Sequence, residues 1–387
     1  MKTLYLKKGK EQSLLRYHQW IFSGAIQPHD VLNEGELVKI YTHEKKCIAW
    51  GYFNSGSIAV KIIGFEDTGN PELVIQSRII QAYEARKRMG WIHHPYTNCY
   101  RLIHAEGDGL PGLIADVYDT HVVIQVHQAG IEQFLSIIEK TLLELPGLNI
   151  ETLVVKYADK KNQIKELKYL KGNATDAVVK ENSIAFHVDW VRGQKTGFFI
   201  DQRENRALLK QYVAGKKVLN TFCYTGGFSV YAEMGGAAEV HSIDYSQWAM
   251  EEVQKNYALN QLEIKPERLI CGDALDYLHK YSHDFDVIVL DPPAFAKSMH
   301  ARHNAIQAYK RINKSAISKI RPGGIIFTFS CSQVVDAHMF RQTVYSAGIE
   351  AGRTVRVLHR LSQPADHPVN LFHPETEYLK GLVLMVE

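Results

Sequence analysis

The sequence of 387 residues contains few cysteines, and its five thiols lie far apart. No two of them have the Cys-x-x-Cys spacing of a structural zinc site, so the sequence predicts no metal. An odd number of scattered thiols suits a reducing compartment better than a disulfide framework, which predicts a cytoplasmic protein. The cysteines are Cys47, Cys99, Cys223, Cys271 and Cys331.

Long apolar runs and two nucleotide-binding patterns are also missing. No stretch approaches the roughly 18–20 apolar residues of a membrane span, and the N-terminal stretch has no apolar core of signal-peptide type. The absence of GxGxxG argues against a nicotinamide dehydrogenase, and the absence of GxxxxGK[ST] argues against a nucleoside triphosphatase. We therefore expect no membrane partner and a different cofactor.

The composition is that of an ordinary globular protein, with 45% hydrophobic and 22% charged residues. The length fits two or three domains. The net charge is only +3, but residues 1–100 hold 13 Lys and Arg against 9 Asp and Glu. A basic N-terminal region fits contact with phosphates, although ordinary solvated charge explains it equally well.

The pattern of apolar residues predicts three domains, at 1–70, 71–192 and 193–387. Short runs such as "SIAVKII" predict a small β-barrel or sandwich, followed by a helix over 71–89. The middle region reads as α+β, with one helix in "GIEQFLSIIEKTLLEL" and a lysine-rich surface excursion at 158–177. After 193, alternating strands and helices predict a parallel sheet, closed by an antiparallel pair at the C-terminal end.

A glycine-containing loop follows the first strand of this predicted parallel sheet. In "KKVLNTFCYTGGFSVYA" the strand ends at Asn220 and a helix begins near Phe228. Gly226 and Gly227 allow the backbone to approach a ligand closely.

Acidic residues follow the next three strands, as Asp244, Asp273 and Asp291. Each alone is more often a helix cap or a solvated turn. Open α/β sheets bind ligands beyond the carboxyl ends of their strands, so the glycine loop and three acids in order predict a ligand site there.

The order of these motifs resembles the class I S-adenosylmethionine-dependent methyltransferases. More narrowly, the chain resembles the family of large-subunit ribosomal RNA cytosine-C5 methyltransferases that carry an N-terminal PUA domain. One departure is Gln19, where that family has a proline before Trp20. The resemblance covers nearly the whole chain, through "HQWIFSGAI", "EGDGLPGLIADVY", "GQKTGFFIDQRENR", "LNTFCYTGGFSVYA", "DVIVLDPPAFAKS", "FTFSCS" and "PETEYLKGL".

The resemblance implies an α/β fold: a Rossmann-like methyltransferase domain, preceded by a PUA-like RNA-binding β-barrel and an α+β middle domain. It implies S-adenosyl-L-methionine as cofactor, with Asp244 on the ribose and Asp273 on the adenine amino group. Phe199 as a core residue and Arg203 as a helix ion pair are the structural alternatives. The implied cofactor-binding residues are Phe199, Asp201, Gln202, Arg203, Asn220, Phe222, Gly226, Gly227, Phe228, Asp244, Ser246, Asp273, Ala274, Asp291 and Pro292.

Cys331 ends the buried strand "GIIFTFS" and is the candidate nucleophile. Cytosine C5 is a poor nucleophile, and a thiolate that adds to C6 activates it. Asp291 is the second candidate catalytic residue, as the acid that pairs with cytosine N3. Lys297 is a candidate electrostatic helper or an ordinary solvated lysine, and the base that removes the C5 proton is not identified.

The other cysteines serve as controls for this assignment. We expect Cys223 to lie against cofactor backbone and Cys271 to be buried as a small apolar residue. Ala294 in "DPPAF" cannot stack a base, whereas Phe295 is either a stacking residue or part of the core.

Three rival functions stay open at this point. A guanine-N7 ribosomal RNA methyltransferase would need no thiol, an RNA-binding assembly factor would not catalyse, and a small-molecule methyltransferase would not need the basic front region. The expected partner is ribosomal RNA of the large subunit or its assembly intermediate. The sequence leaves the oligomeric state open, with a homodimer as one option.

Overall fold

The computed structural model describes residues 1–66, 69–158, 164–296 and 298–387. The chain forms two compact units, each built from several stretches of sequence. No helix within the described ranges is both long and apolar enough to cross a membrane. The first unit comprises Met1–Val179, Val188–Ile200 and Ala365–Thr376, and the second comprises Lys180–His187, Asp201–Pro364 and Glu377–Glu387.

The first unit begins with a five-stranded sheet, as the short apolar runs predict. Its apolar side chains, among them Leu4, Val38 and Ile62, are buried in one cluster. The strands are β1 (Lys2–Tyr5), β2 (Trp20–Phe22), β3 (Leu37–Tyr41), β4 (Cys47–Phe53) and β5 (Ile58–Gly64), in the order β1-β3-β4-β5-β2, with the short helix α1 (Gln12–Leu15). Gln19, the departure noted above, is buried and its Nε2 donates to the carbonyl of Glu106 at 2.8 Å.

The predicted helix that follows this sheet is confirmed as α2 (Pro71–Arg88). Asn70 caps it, since its Oδ1 accepts from the backbone N–H groups of Glu72 and Leu73. Proline at the first position and basic residues in the last turn fit the favoured charge and geometry of the helix ends.

A second five-stranded sheet packs against this helix, in the order β10-β9-β8-β7-β6. The single helix predicted after β8 is instead two helices. The side-chain amide of Gln133 donates to the carbonyl of Gly130 at 2.7 Å, and the N–H of Phe134 donates to the carbonyl of Ile131. The series of α-helical hydrogen bonds is therefore interrupted here. The elements are β6 (Cys99–His104), β7 (Leu113–Tyr118), β8 (His121–Val126), α3 (Ala129–Glu132), α4 (Leu135–Glu144), β9 (Thr152–Ala158) and β10 (Ile164–Lys171).

The lysine-rich surface excursion predicted at 158–177 is wrong in its central part. Residues 164–171 form the edge strand β10, antiparallel to β9, with Tyr169 opposite Val154. Lysines are common on edge strands because their charge opposes pairing with other chains. Residues 159–163 of that segment lie outside the described residues. A two-stranded ribbon follows, from β11 (Asp176–Glu181) and β12 (Ile184–Asp189).

The second unit contains a seven-stranded sheet with helices between its strands, and the predicted α/β architecture is confirmed. The strand order is β15-β14-β13-β16-β17-β19-β18, with β13 to β17 parallel and β18 and β19 antiparallel at one edge. Its elements are α5 (Arg203–Leu209), β13 (Lys217–Thr221), α6 (Gly227–Met234), β14 (Glu239–Asp244), α7 (Gln247–Leu259), β15 (Leu269–Cys271), α8 (Ala274–Tyr281), β16 (Val287–Leu290), α9 (Arg302–Lys319), β17 (Gly324–Ser330), α10 (Ala337–Ala351), β18 (Val355–Ser362) and β19 (Lys380–Val386).

The order in which strands are added to this sheet reverses at β13. Strand β14 lies on one side of β13 and β16 lies on the other. In open α/β sheets this switch point is where ligands bind, beyond the carboxyl ends of the strands. The loops after β13, β14, β15, β16 and β17 all leave from that edge, because these strands are parallel.

Candidate functional site at the carboxyl edge of the sheet

The loop after β13 has an unusual backbone. Phe222, Tyr224 and Gly226 all adopt positive φ angles, of 54°, 49° and 79°. Such conformations cost of order 1–3 kcal/mol each for residues other than glycine, so surrounding contacts must hold them. The N–H of Cys223 donates to the carbonyl of Ile243, and the N–H of Tyr224 donates to Asp244 Oδ2 at 3.0 Å. The loop is therefore fixed to the end of β14.

Asp244 lies half-buried at the end of β14 and joins two elements. Besides the loop contact, its Oδ1 accepts from the N–H of Ser246 at 3.1 Å. Ser246 in turn caps α7, since its Oγ accepts from the N–H of Ala249. Each carboxylate oxygen of Asp244 retains a lone pair, because a carboxylate offers about four acceptor positions.

Asp273 adopts the helix-cap role that was the alternative to ligand binding. Its Oδ1 accepts from the backbone N–H groups of Leu275 and Asp276, at 2.6 and 3.0 Å, and its Oδ2 accepts from the hydroxyl of Tyr245. The Tyr245 hydroxyl and then the Asp276 N–H lower the pKa of Asp273, so the carboxylate stays ionised. Ala274 is buried as the first residue of α8.

A buried polar chain lies beneath the loop. Asn220 Nδ2 donates to Ser229 Oγ at 2.9 Å, and this hydroxyl lies 2.7 Å from Ser242 Oγ. The Oδ1 atom of Asn220 is buried and has no hydrogen-bond partner among the described residues. Buried acceptors are rarely left without a donor, so this oxygen is available to accept a hydrogen bond from a ligand N–H group.

The segment "GFFIDQRENR" places polar side chains near the end of β16. Gln202 Nε2 donates to Asp291 Oδ2 at 3.0 Å, and Gln202 Oε1 accepts from Asn205 Nδ2 at 2.6 Å. Asp201 accepts from the hydroxyl of Tyr378 at 2.6 Å. Gln202 is almost fully buried, so its amide holds the carboxylate of Asp291 in a fixed orientation.

Two aromatic residues predicted to border the cofactor have other contacts. The ring of Phe199, in the first unit, lies under the ammonium of Lys195, 4.4 Å from its centroid. Phe228 is buried in the apolar core of the second unit and packs on Phe329. Arg203 is buried and forms an ion pair with Glu204 itself, with an Nε–Oε1 distance of 3.5 Å, whereas the structural alternative was an ion pair with neighbours of Glu204 on the helix.

The strand after Asp291 brings Cys331 to the same edge. Strands β16 and β17 are adjacent, with Leu290 opposite Thr328, and Asp291 and Cys331 each follow their strand directly. Ser332 Oγ donates to the carbonyl of Ala296 at 2.8 Å, which ties the segment after Cys331 to the segment after Asp291.

The five cysteines differ in exposure, and none is paired in a disulfide bond. Cys331 and Cys47 are half-buried, while Cys99 is buried in β6. Cys223 is also buried, and desolvation, together with the nearby Asp244, raises its pKa well above the ordinary value. The prediction that Cys271 is buried is wrong: it ends the short edge strand β15, which has neighbours on one side only, and it is exposed.

Other residues of the "DPPAF" segment have structural roles. Pro292 is buried, whereas Phe295 is half-buried and packs on Tyr309 at the margin of the core, with ring centroids 4.7 Å apart. Lys297, the candidate helper, lies outside the described residues.

Sequence reasoning missed Lys380, the first residue of β19. Its side chain is 6% exposed, and its Nζ donates to the carbonyls of Ser332 at 2.6 Å and Tyr378 at 2.8 Å. Burial lowers its pKa to about 8, opposed by the charges of Cys331, Glu377 and Asp336. A lysine at the head of the apolar run "GLVLMV" was the available signal, since lysines seldom enter a sheet interior.

Among the described residues of the first unit, His18, His373 and Glu375 form a cluster with the donor types of a metal site. Several of its atoms have protein partners, whereas His373 Nε2 is buried and has no hydrogen-bond partner among the described residues. His18 Nε2 lies 3.2 Å from Glu375 Oε2, His18 Nδ1 lies 3.2 Å from both the N–H and the carbonyl oxygen of Trp20, and His373 Nδ1 accepts from the N–H of Gln19.

Comparisons with known proteins show two regions of similarity to family models. Residues 148–377 match the model described as S-adenosylmethionine-dependent methyltransferase, and residues 4–65 match a PUA-like domain.

Curated relatives are similar along the whole chain. "Ribosomal RNA large subunit methyltransferase I" from Aeromonas hydrophila is 39% identical, over 99% of this chain and 98% of its own. The protein of the same name from Aeromonas salmonicida is 38% identical, over 98% of both chains.

Solved structures share the fold. "A putative SAM-dependent methyltransferase from Streptococcus mutans" superposes over all of both chains with a TM-score of 0.87 and 23% identity. A second structure, "a putative methyltransferase complexed with SAH", has a TM-score of 0.87 at 22% identity.

Proposed function

Since this chain belongs to the S-adenosylmethionine-dependent methyltransferase family and is related over its full length to ribosomal RNA large subunit methyltransferase I, we propose that it forms 5-methylcytosine in large-subunit ribosomal RNA. The observation that carries the proposal is the half-buried Cys331 on a strand next to that of Asp291, at the carboxyl edge of the sheet. Cytosine C5 methylation needs a nucleophile at this place, whereas methylation of a ring nitrogen does not.

The residues at the carboxyl edge suit the cofactor of this family. The buried acceptor Asn220 Oδ1 matches the ammonium group of its methionine moiety, which offers three N–H donors. Asp244, with lone pairs left on both oxygens, suits the ribose hydroxyls, as carboxylates do in related α/β sites. When bound, S-adenosylmethionine supplies a methyl group bonded to a positively charged sulfur.

The hydrogen bonds of Asp273 and Gln202 within the protein limit the roles that this proposal gives them. The Oδ1 of Asp273 is committed to the α8 cap, so only Oδ2 is assigned to the adenine amino group, in competition with Tyr245. Gln202 is assigned to positioning Asp291. Phe228 contributes backbone only, because its side chain lies in the core.

The chemistry of the chain itself begins at Cys331. Its thiolate adds to cytosine C6, a bond forms between sulfur and C6, and the electron pair of the C5–C6 double bond becomes available at C5. After C5 has gained the methyl group, a base removes the C5 proton. The double bond returns and the sulfur leaves C6 as thiolate, so Cys331 is regenerated.

Asp291 is assigned to the Watson–Crick edge of the base. The ring gains electron density at N3 when sulfur adds to C6, and a carboxyl group that shares a proton with N3 stabilises this state. The hydrogen bond from Gln202 fixes one oxygen of Asp291, which orients the carboxyl group before the substrate arrives.

Mass-spectrometric mapping of ribosomal RNA from cells with and without this protein tests the assignment. We expect one 5-methylcytosine of the large-subunit RNA to disappear and to return on expression of the wild-type chain. Loss of a methylguanine instead would assign the chain to guanine methylation, and unchanged RNA would favour a non-catalytic assembly factor.

Covalent trapping tests the mechanism separately. RNA containing 5-fluorocytosine lacks the C5 proton that must be removed, so we expect it to stay bonded to Cys331 and to shift the mass of that peptide. Ordinary RNA of the same sequence is the matched control. Catalytic turnover without any trapped species would contradict the covalent route.

A further inference from the structure

The neighbourhood of Cys331 contains a buried cation at a defined position. Lys380 begins β19, which runs antiparallel to β17, and it lies directly opposite Ser330, the residue before Cys331. Opposite residues of an antiparallel pair have Cα atoms about 4.5–5.5 Å apart, so the lysine stem starts beside the strand end that carries the thiol.

The Lys380 ammonium then reaches past the cysteine. It donates to the carbonyl of Ser332, the residue after Cys331, at 2.6 Å and to the carbonyl of Tyr378 at 2.8 Å. Lys380 thus lies opposite Ser330 in the sheet and donates to the carbonyl of Ser332, the two residues on either side of Cys331. The contacts of its ammonium hold the cation at the strand end that carries this thiol, and the two groups interact electrostatically.

The charged groups around this lysine favour its protonated form, whereas its burial favours the neutral form. Burial is the larger effect and lowers the pKa of Lys380 to about 8, while Cys331, Glu377 and Asp336 act in the opposite direction. On the thiol side, Tyr309 is a titratable group that also interacts electrostatically with Cys331. Coulomb coupling is reciprocal, so a thiolate that favours the ammonium is favoured by it.

A purely structural role would not require a cation. A neutral donor could tie the two carbonyls together, and burying a charged amine is costly unless it is paired. The ammonium offers what the nucleophile needs, since a neighbouring lysine lowers the energy of a thiolate relative to a thiol.

We propose that Lys380 is the positioning residue that holds Cys331 as the reactive thiolate in the free enzyme. The inference deepens the proposed function, which supplies the reason that a thiolate is needed. The prediction itself concerns the thiol alone and needs neither RNA nor cofactor.

The rate of iodoacetamide alkylation as a function of pH tests it, with each cysteine followed by peptide mass spectrometry. We expect Lys380→Gln, a neutral donor, to slow alkylation of Cys331 about tenfold at pH 7, the factor that corresponds to one pKa unit. Lys380→Arg keeps the charge and should restore most of the rate. The exposed Cys271 in the same samples is the internal control and should not change.

The pH range in which the variants should differ follows from the pKa of Lys380. The difference between wild type and Lys380→Gln should be largest below about pH 8, where Lys380 is protonated, and should vanish at high pH, where Cys331 is ionised in both. Identical profiles for all three proteins would overturn the proposal, as would equal slowing in the Arg and Gln variants.

A second measurement does not depend on the folding of Lys380 variants. In Cys331→Ser the thiolate is removed, so Lys380 should lose its proton at lower pH than in wild type, as followed by ¹³C NMR of methylated lysines. An unchanged titration of Lys380 would show that the two groups are not coupled. If RNA mapping refutes cytosine methylation but these titrations give the expected result, the proposed function is wrong, while the proposed stabilisation of the Cys331 thiolate by Lys380 remains supported.

Discussion

The loops after β13 and β17 place a cysteine at the same edge of the same sheet, and the two thiols have opposite surroundings. Cys223 is buried, has Asp244 as its charged neighbour, and has a raised pKa. Cys331 is half-buried and interacts electrostatically with the ammonium of Lys380, which binds the carbonyl of the next residue, Ser332. Two cysteines at one sheet edge can therefore have different charged neighbours, and in the mechanism we propose it is the neighbouring charge that favours a thiolate at Cys331 and not at Cys223.

The largest expected effect is on catalysis by the β17 loop. Cys331→Ala should lower methylation of large-subunit ribosomal RNA by about 10³-fold or more, since a covalent route loses its nucleophile. Tritium transfer from labelled S-adenosylmethionine to RNA measures it, with Cys223→Ala as the matched variant from the other loop. Full activity of the Cys331 variant would remove the distinction between the loops and favour the guanine alternative.

The next effect concerns the carboxylate of Asp291, which follows the strand adjacent to that of Cys331. Asp291→Asn should lower kcat by about 10²-fold, the range for a group that stabilises developing charge, with a smaller change in KM. Asp286→Asn is the control at the opposite end of the same strand β16, where Asp286 accepts from the N–H of Lys217. That variant should lose about 1 kcal/mol of stability and keep its kcat. Equal losses of kcat in the two variants would argue against a catalytic Asp291.

A smaller effect, visible without substrate, is the difference in thiol reactivity. In the native protein at pH 7.5, a value we choose for the assay, Cys331 should react with iodoacetamide at least about tenfold faster than Cys223, because burial and raised pKa keep the latter as thiol. In guanidinium chloride the two rates should converge. Faster labelling of Cys223 in the folded protein would reverse the comparison.

The smallest effect is on stability. Cys223→Ala should change the free energy of unfolding by about 1 kcal/mol near pH 7 and leave kcat within about twofold. Because the pKa of Cys223 is raised in the folded state, the unfolded chain ionises first and wild-type stability falls as pH rises above about 8.5, the ordinary thiol value. Urea melts at two pH values should show a smaller fall in the alanine variant.

The elements with strong patterns could be predicted from the sequence. The helix α2 has a cap, a proline and an apolar face in its own residues, and the parallel sheet follows from apolar runs that are separated by segments of helical length. The edge position of Cys271 and the strand at 164–171 could not be predicted in this way. Both depend on which neighbours a strand has, and neighbours are set by pairing between distant parts of the chain.

For the candidate site, the sequence by itself determined which residues end the parallel strands, including Asp244, Asp291 and Cys331, because strand ends are local features. Only the tertiary structure showed that Asp273 caps α8, that Gln202 binds Asp291, and that Lys380 comes from the far end of the chain to Cys331. Charge and burial at a point in space depend on every segment that packs there, and no single segment of sequence carries that information.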